Sequence, residues 1–374
     1  MRYTDEEFNM EQSRESNFDL LRIICSVAVI TIHVSATYKT AITNEETFGT
    51  IYTSHIFVTL LYNTLSRFAV PCFVMLSGAF ILSNDKNSDY YYFYHKCFRS
   101  IGITTIIFSV LYFLYSIAIS IVIIKVRNED WTVLLTPVKD LIKGKPYYHM
   151  WYLYAMIGVY ILVPILHRLK KDMKEKTFDR IAWVFLVLAC LSMWTSTRKL
   201  NWDIGGSFCY LGYFMVGYVM RKWAANHKNN LKGICLIVMG FLVELGITYL
   251  QYSYSLQGFS ETDINYGLID PQAPLIVVSS VLIFGGFSML RINRNFGKLS
   301  GFTFLIYLFH AGVWDLLGLV VKKVIGVRGD NRIIIPASIL IVFCFSYLLS
   351  IVYKNTVEKT FLKVLNEPRH YKAA

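Results

Sequence analysis

The sequence predicts an all-α integral membrane protein of about ten transmembrane helices, with both termini in the cytoplasm. Three observations carry this. Over 374 residues the chain is 55% hydrophobic and only 17% charged, whereas a soluble chain of this size carries more charge. Its apolar residues gather into ten long runs, most of them long enough to cross a hydrocarbon layer at ~1.5 Å per residue. Its cations gather in alternate connections, as the positive-inside rule requires.

The runs fall at about 18–37, 54–83, 98–125, 149–167, 181–197, 203–220, 233–252, 274–290, 299–321 and 333–353. The second carries Pro71, which predicts a kink or break nearby. No secretory signal is expected ahead of the first run, because residues 1–17 are polar and of mixed charge. The chain therefore reads as a cytoplasmic tail (1–17), one membrane domain (18–353) and a second cytoplasmic tail (354–374). The segment 253–273 is the sizeable acidic loop and is expected outside. Of the 37 Lys and Arg residues, 23 lie in the tails and the connections assigned to the cytoplasm, above all in HRLKKDMKEK and RKWAANHKNNLK. The formal charge of +12 is thus a topology signal and an attraction to anionic lipid, and nucleic-acid binding is not expected. The seven cysteines form no CxxC pair and read as packing residues, with no disulfide framework and no metal site.

The first run, FDLLRIICSVAVITIHVSAT, is interrupted by Arg22 and His33. Eleven positions at ~100° each return to nearly the same angle, so both lie on one face, about 16 Å apart along the axis. Asp19, Ser26 and Thr37 share that stripe. On the predicted orientation Arg22 is near the cytoplasmic mouth and His33 is past the midplane. A guanidinium at the mouth suits a phosphate-bearing ligand, or else snorkels to the interface. An imidazole deeper in suits proton transfer, or else joins two helices by a hydrogen bond.

Further polar groups punctuate the later runs. Arg67 precedes Pro71 by four positions and is placed to satisfy carbonyls freed by a kink, or to bind a ligand. Lys96 and Arg99, at i and i+3, share a face at the start of the third helix, where they anchor it or hold an anion. His149, Trp151 and Tyr152 open the fourth helix as interfacial aromatics that also suit stacking on a sugar ring. Glu244 is a carboxylate deep in the seventh run and needs a partner, and His310 lies at the middle of the ninth. A transporter or flippase for a polar or lipid-linked substrate, with Arg22, His33, Glu244 and His310 as a proton relay, is the alternative function on these residues.

Four stretches, FDLLRIICSVAVITIHVSA, SRFAVPCFVMLSGAFIL, HMWYLYAMIGVYILVPIL and SGFTFLIYLFH, resemble the membrane-bound acyltransferase 3 family in the right order. Its members are O-acyltransferases of cell-envelope and secreted polysaccharides. The resemblance implies that His33 is the catalytic histidine and that Arg22, Lys96 and Arg99 bind acyl-CoA. Lys96 stands where the family's RxxR pair has an arginine, so a point charge replaces a bidentate fork. Arg67, Trp151, Tyr152, Glu244 and His310 are then expected to bind the acceptor or support the site. The implied reaction moves an acyl group, acetyl above all, from cytoplasmic acyl-CoA to a hydroxyl of an envelope glycan or lipid-linked saccharide. Acetyl-CoA is a co-substrate, no cofactor is permanently bound, and the plasma membrane is the implied location. His33 acts as general base or, alternatively, as an acylated nucleophile.

Overall fold

The computed structural model describes residues 15–43, 53–196, 204–256, 268–324 and 330–358. Most of the acidic loop, the far end of the C-terminal tail and residues 1–14 lie outside that set. The described residues are helical throughout, without strands. They form two compact units, one from the residues up to Ser66 together with those from Asn293 onward, the other from Arg67 to Ile292. All ten apolar runs are occupied by helix. Five helical segments are long and apolar enough to cross a membrane, and the bent pair Trp151–Ile161 and Val163–Asp172 makes a sixth if taken as one span. Pro274–Met289 and Thr303–Gly318 are shorter apolar helices.

The first unit is built on helices Ser16–Thr43, Thr53–Thr64, Thr303–Val324 and Asn331–Tyr353. Their apolar faces meet in a core of Ile30, Val34, Tyr38, Ile306, Trp314, Ile335, Ile339 and Val342. Polar side chains inside apolar helices are spent as ties between them. Asn63 donates to the Ile32 carbonyl (3.2 Å) and to Ser35 Oγ (3.0 Å), and Asn331 donates to Thr59 Oγ1 (3.0 Å). In hydrocarbon such groups have no water to turn to, so each tie fixes a helix in register.

The second unit is organised around helix Ala69–Ile81. Gly78 and Gly217 make its crossing with helix Ile204–Ala225 possible. A Cβ on Gly78 would sit 1.7 Å from the Phe214 carbonyl oxygen, and one on Gly217 2.0 Å from that of Met75. Backbone meets backbone there, which only the smallest residue permits. The carboxyl end of Ala69–Ile81 is covered by cations, which complement its negative dipole end and its unpaired carbonyls. Arg221 reaches Ala79 O (3.0 Å), Lys170 reaches Leu82 O (2.7 Å), and the His167 ring lies 3.2 Å from Ile81 O. Lys170 also pairs with Asp85, and Lys222 with Glu175 and Asp179. The connections 84–99, 168–180 and 221–232, grouped on one side by their charge, thus meet at one end of this unit.

Three details refine the sequence expectation. The break in the second run falls at Leu65–Phe68, ahead of Pro71, which instead sits in the first turn of the next helix where its missing N–H costs nothing. The fourth run is two helices bent by 41°, because Pro164 opens a new helix at Val163. The third helix starts at Tyr90, capped by Asp89, and carries a wide i→i+5 turn at Phe98–Gly102. Of the cysteines, Cys235 and Cys344 are exposed and do not pack inside the chain.

Candidate functional site

In the first unit the helix Ser16–Thr43 is continuous, so the polar stripe expected of it forms. At its amino end Arg22 Nη1 donates to Asp19 Oδ1 (2.6 Å), and Ser300 Oγ donates to the same oxygen (2.7 Å). Asp19 is buried, while the Arg22 side chain is 27% exposed. The arginine is therefore held through Nη1 by a buried carboxylate, with part of its side chain still exposed. Further along, the His33 and His310 rings stand 5.1 Å apart between centroids, tilted by 37°. His310 is fully buried, and its Nδ1 meets the Tyr307 carbonyl. A carbonyl only accepts, so Nδ1 carries the proton and Nε2 is the basic nitrogen of the neutral ring. His33 is half-buried. Asn63 fixes the helix one residue before it, and Trp314 Nε1 donates to Thr37 Oγ1 (3.0 Å) one turn beyond.

The second unit holds the remaining predicted residues. Glu244 is fully buried, and its Oε1 accepts from the Phe68 N–H (3.1 Å) and from Ser279 Oγ (3.3 Å). Phe68 closes the turn at Leu65–Phe68, so the carboxylate receives an N–H that the helix break has set loose. Arg67, in the same turn, is half-buried and interacts electrostatically with Glu244 and Asp270. Lys96 is exposed, its ammonium 5.6 Å from the Tyr92 ring centroid. Arg99 is half-buried within the wide turn and makes no ion pair with a described residue. An apolar groove of about 580 Å³ runs beside them, lined by Tyr94, Phe98, Ile101, Tyr154 and Tyr160 among others. Trp151 and Tyr152 are half-buried, with the Trp151 ring 5.8 Å from Tyr210. His149 is buried among the rings of Tyr112, Tyr147 and Tyr148 and serves packing.

The structure thus brings His33 to His310 and Arg67 to Glu244, and gives Arg22 a buried carboxylate partner. Sequence reasoning missed Ser300, Asn63 and Trp314. The usable signal was present for Asn63, an amide within an apolar run, and for Thr37, which lies on the stripe.

The model of the acyltransferase 3 family, described as an acyltransferase domain, matches residues 15–353. No curated protein and no solved structure matches the chain. The matched span contains every site residue named above, and the helices bearing Arg22, His33, Arg67, Lys96, Arg99 and Glu244 lie in or next to segments long and apolar enough for a membrane. The chain belongs to the acyltransferase 3 family and is a multi-pass membrane acyltransferase.

Proposed function

We propose that the protein moves an acetyl group from cytoplasmic acyl-CoA to a hydroxyl of a cell-envelope or exported polysaccharide, presented as a glycan or lipid-linked saccharide. The observation that supports this most is the His33–His310 pair on the stripe that begins at Arg22. On this reading the CoA phosphates bind at Arg22, Lys96 and Arg99. The distance from Arg22 to His33, about 16 Å along the helix, is comparable with an extended pantetheine arm, so the thioester reaches the imidazole. His33 takes the proton of the acceptor hydroxyl while that oxygen attacks the thioester carbonyl. The C–S bond breaks, and the thiolate leaves with the proton as free CoA. His310 supports His33, Glu244 and Arg67 brace the helix break, and Trp151 and Tyr152 receive the sugar. No covalent enzyme intermediate is required. Family membership favours this over transport, which no observation supports.

The membrane domain is taken as 18–353 in the plasma membrane, crossing it about ten times with cytoplasmic tails at 1–17 and 354–374. A reporter fused after Ala374 is expected to read cytoplasmic and one placed in 253–273 external. An external C-terminus would overturn the placement of Arg22 at the cytoplasmic mouth. For the reaction, membranes bearing the protein should release CoA thiol from acetyl-CoA only when envelope glycan is added. Glycan acetylation should disappear in cells that lack the protein. Absence of both effects would sink the proposal.

A further inference from the structure

Within the second unit, helices Asn230–Leu256 and Pro274–Met289 cross so closely that their ends are brought level. A Cβ on Gly286 would lie 2.6 Å from the Gly233 carbonyl oxygen, and one on Gly233 2.8 Å from that of Gly286. At this end the connections on either side form a cavity of about 310 Å³. Its walls include Trp223, His227, Lys228, Lys232, Met289 and Arg291, and no acidic side chain among the described residues lines it.

Plain topology charge does not need a concave, ordered site, and this one is ordered. Asn229 N–H donates to Met289 O (3.1 Å), Lys228 Nζ to Ser288 O (2.9 Å), and Arg291 N–H to Asn230 Oδ1 (2.7 Å). These three bonds stitch the two connections together. The His227 and Trp223 rings stack at 4.8 Å, further fixed by His227 Nδ1 on Trp223 O (2.7 Å). The side chains of Lys232 and Arg291 are exposed at the cavity. A cationic pocket with a guanidinium fits a phosphate.

The neighbouring surface says which kind of phosphate. Leu231, Ile234, Val238 and Leu242 begin beside the cavity and are 72%, 52%, 50% and 58% exposed. Their spacing puts them on one stripe of the helix, running about 16 Å away from the pocket. A basic pocket between membrane helices, continued by an exposed apolar stripe, matches an amphiphile with an anionic head. We propose that this pocket binds the phosphate of an anionic membrane phospholipid, whose chains lie along Leu231, Ile234, Val238 and Leu242.

The test uses the purified full-length chain in detergent, titrated with phosphatidylglycerol or phosphatidylcholine and read by native mass spectrometry. One saturable phosphatidylglycerol is expected, and the double variant Lys232→Gln/Arg291→Gln should weaken it about tenfold. The control Lys171→Gln/Lys176→Gln removes two exposed cations elsewhere and should leave it unchanged. CoA and inorganic phosphate, tested as competitors, should not displace the lipid. Equal binding of phosphatidylcholine, or equal weakening by the control, would mean diffuse attraction and overturn the site. Binding of CoA that is lost in Lys232→Gln/Arg291→Gln would overturn the lipid and make this a soluble phosphate site. A melting curve of each variant verifies folding. The readout is lipid binding, so it stands whether or not the glycan acceptor is correct.

Discussion

His33 and Glu244 are both ionisable groups within apolar helices, yet the backbone around them is built differently. Around His33 the helix Ser16–Thr43 is unbroken, and the nearest ionisable ring is another imidazole, His310. Around Glu244 a turn interrupts the chain at Leu65–Phe68, and one carboxyl oxygen, Oε1, accepts from the Phe68 N–H and Ser279. Burying an ionisable group is costly in either place. In the first unit the return is a pair of facing imidazoles, His33 half-buried and His310 fully buried, whose ring nitrogens can donate or accept a proton. In the second the return is structural, a helix break made tolerable in a membrane. Placement in an apolar helix therefore does not by itself assign a role, and the partner decides.

The comparison breaks first if the histidine is dispensable. His33→Ala is expected to lower acyl transfer by about 10²–10⁴-fold with normal protein level, measured as glycan-dependent thiol release. Glu244→Ala should act on stability instead. It strands the Phe68 N–H and is expected to cost about 1–3 kcal/mol, read as a lower melting temperature, while turnover per folded molecule changes little. Glu244→Gln keeps an acceptor and should cost less. A loss of turnover in Glu244→Gln as large as in His33→Ala would erase the distinction.

Smaller effects sharpen the account at the periphery. Arg99→Ala should raise the KM for acyl-CoA several-fold with near-normal kcat, and Lys96→Arg should be tolerated or bind more tightly. Loss of membrane insertion in Arg99→Ala, with unchanged kinetics in what survives, would make that arginine an anchor only. The smallest effect concerns Asp85, whose carboxyl is held below the usual carboxylate range by the hydrogen bond from the Lys170 ammonium. Its folded pKa is lowered, so its contribution is present above the unfolded value and fades as pH falls through the folded one. The pair is exposed and screened, so Asp85→Asn should shift stability by no more than about 0.5 kcal/mol, and only above that acidic range.

Much of this was legible in the sequence because membrane helices announce themselves by length and apolarity. The stripe of Asp19, Arg22, Ser26, His33 and Thr37 followed from helical periodicity alone, since that helix runs without interruption. The break near Pro71 was legible too, although the turn lies just before the proline, which itself sits harmlessly in the first turn of the next helix. Pro164 went unread, as the apolar run continues through it although the helix does not. The pairing of His33 with His310, and of Asp19 with Ser300, joins residues from opposite ends of the chain. No local pattern encodes such contacts; they arise only when Thr303–Val324 packs on Ser16–Thr43.

The central claim is that His33 performs proton transfer and does not merely hold two helices together. Binding of labelled acetyl-CoA and release of CoA thiol, measured side by side on purified wild type and His33→Gln, separate the two roles. Glutamine keeps a polar group of similar reach and cannot act as a base. The account predicts acetyl-CoA binding within about twofold of wild type and thiol release reduced by at least about a hundredfold. Thiol release near the wild-type rate in His33→Gln, or loss of binding together with turnover, would contradict it.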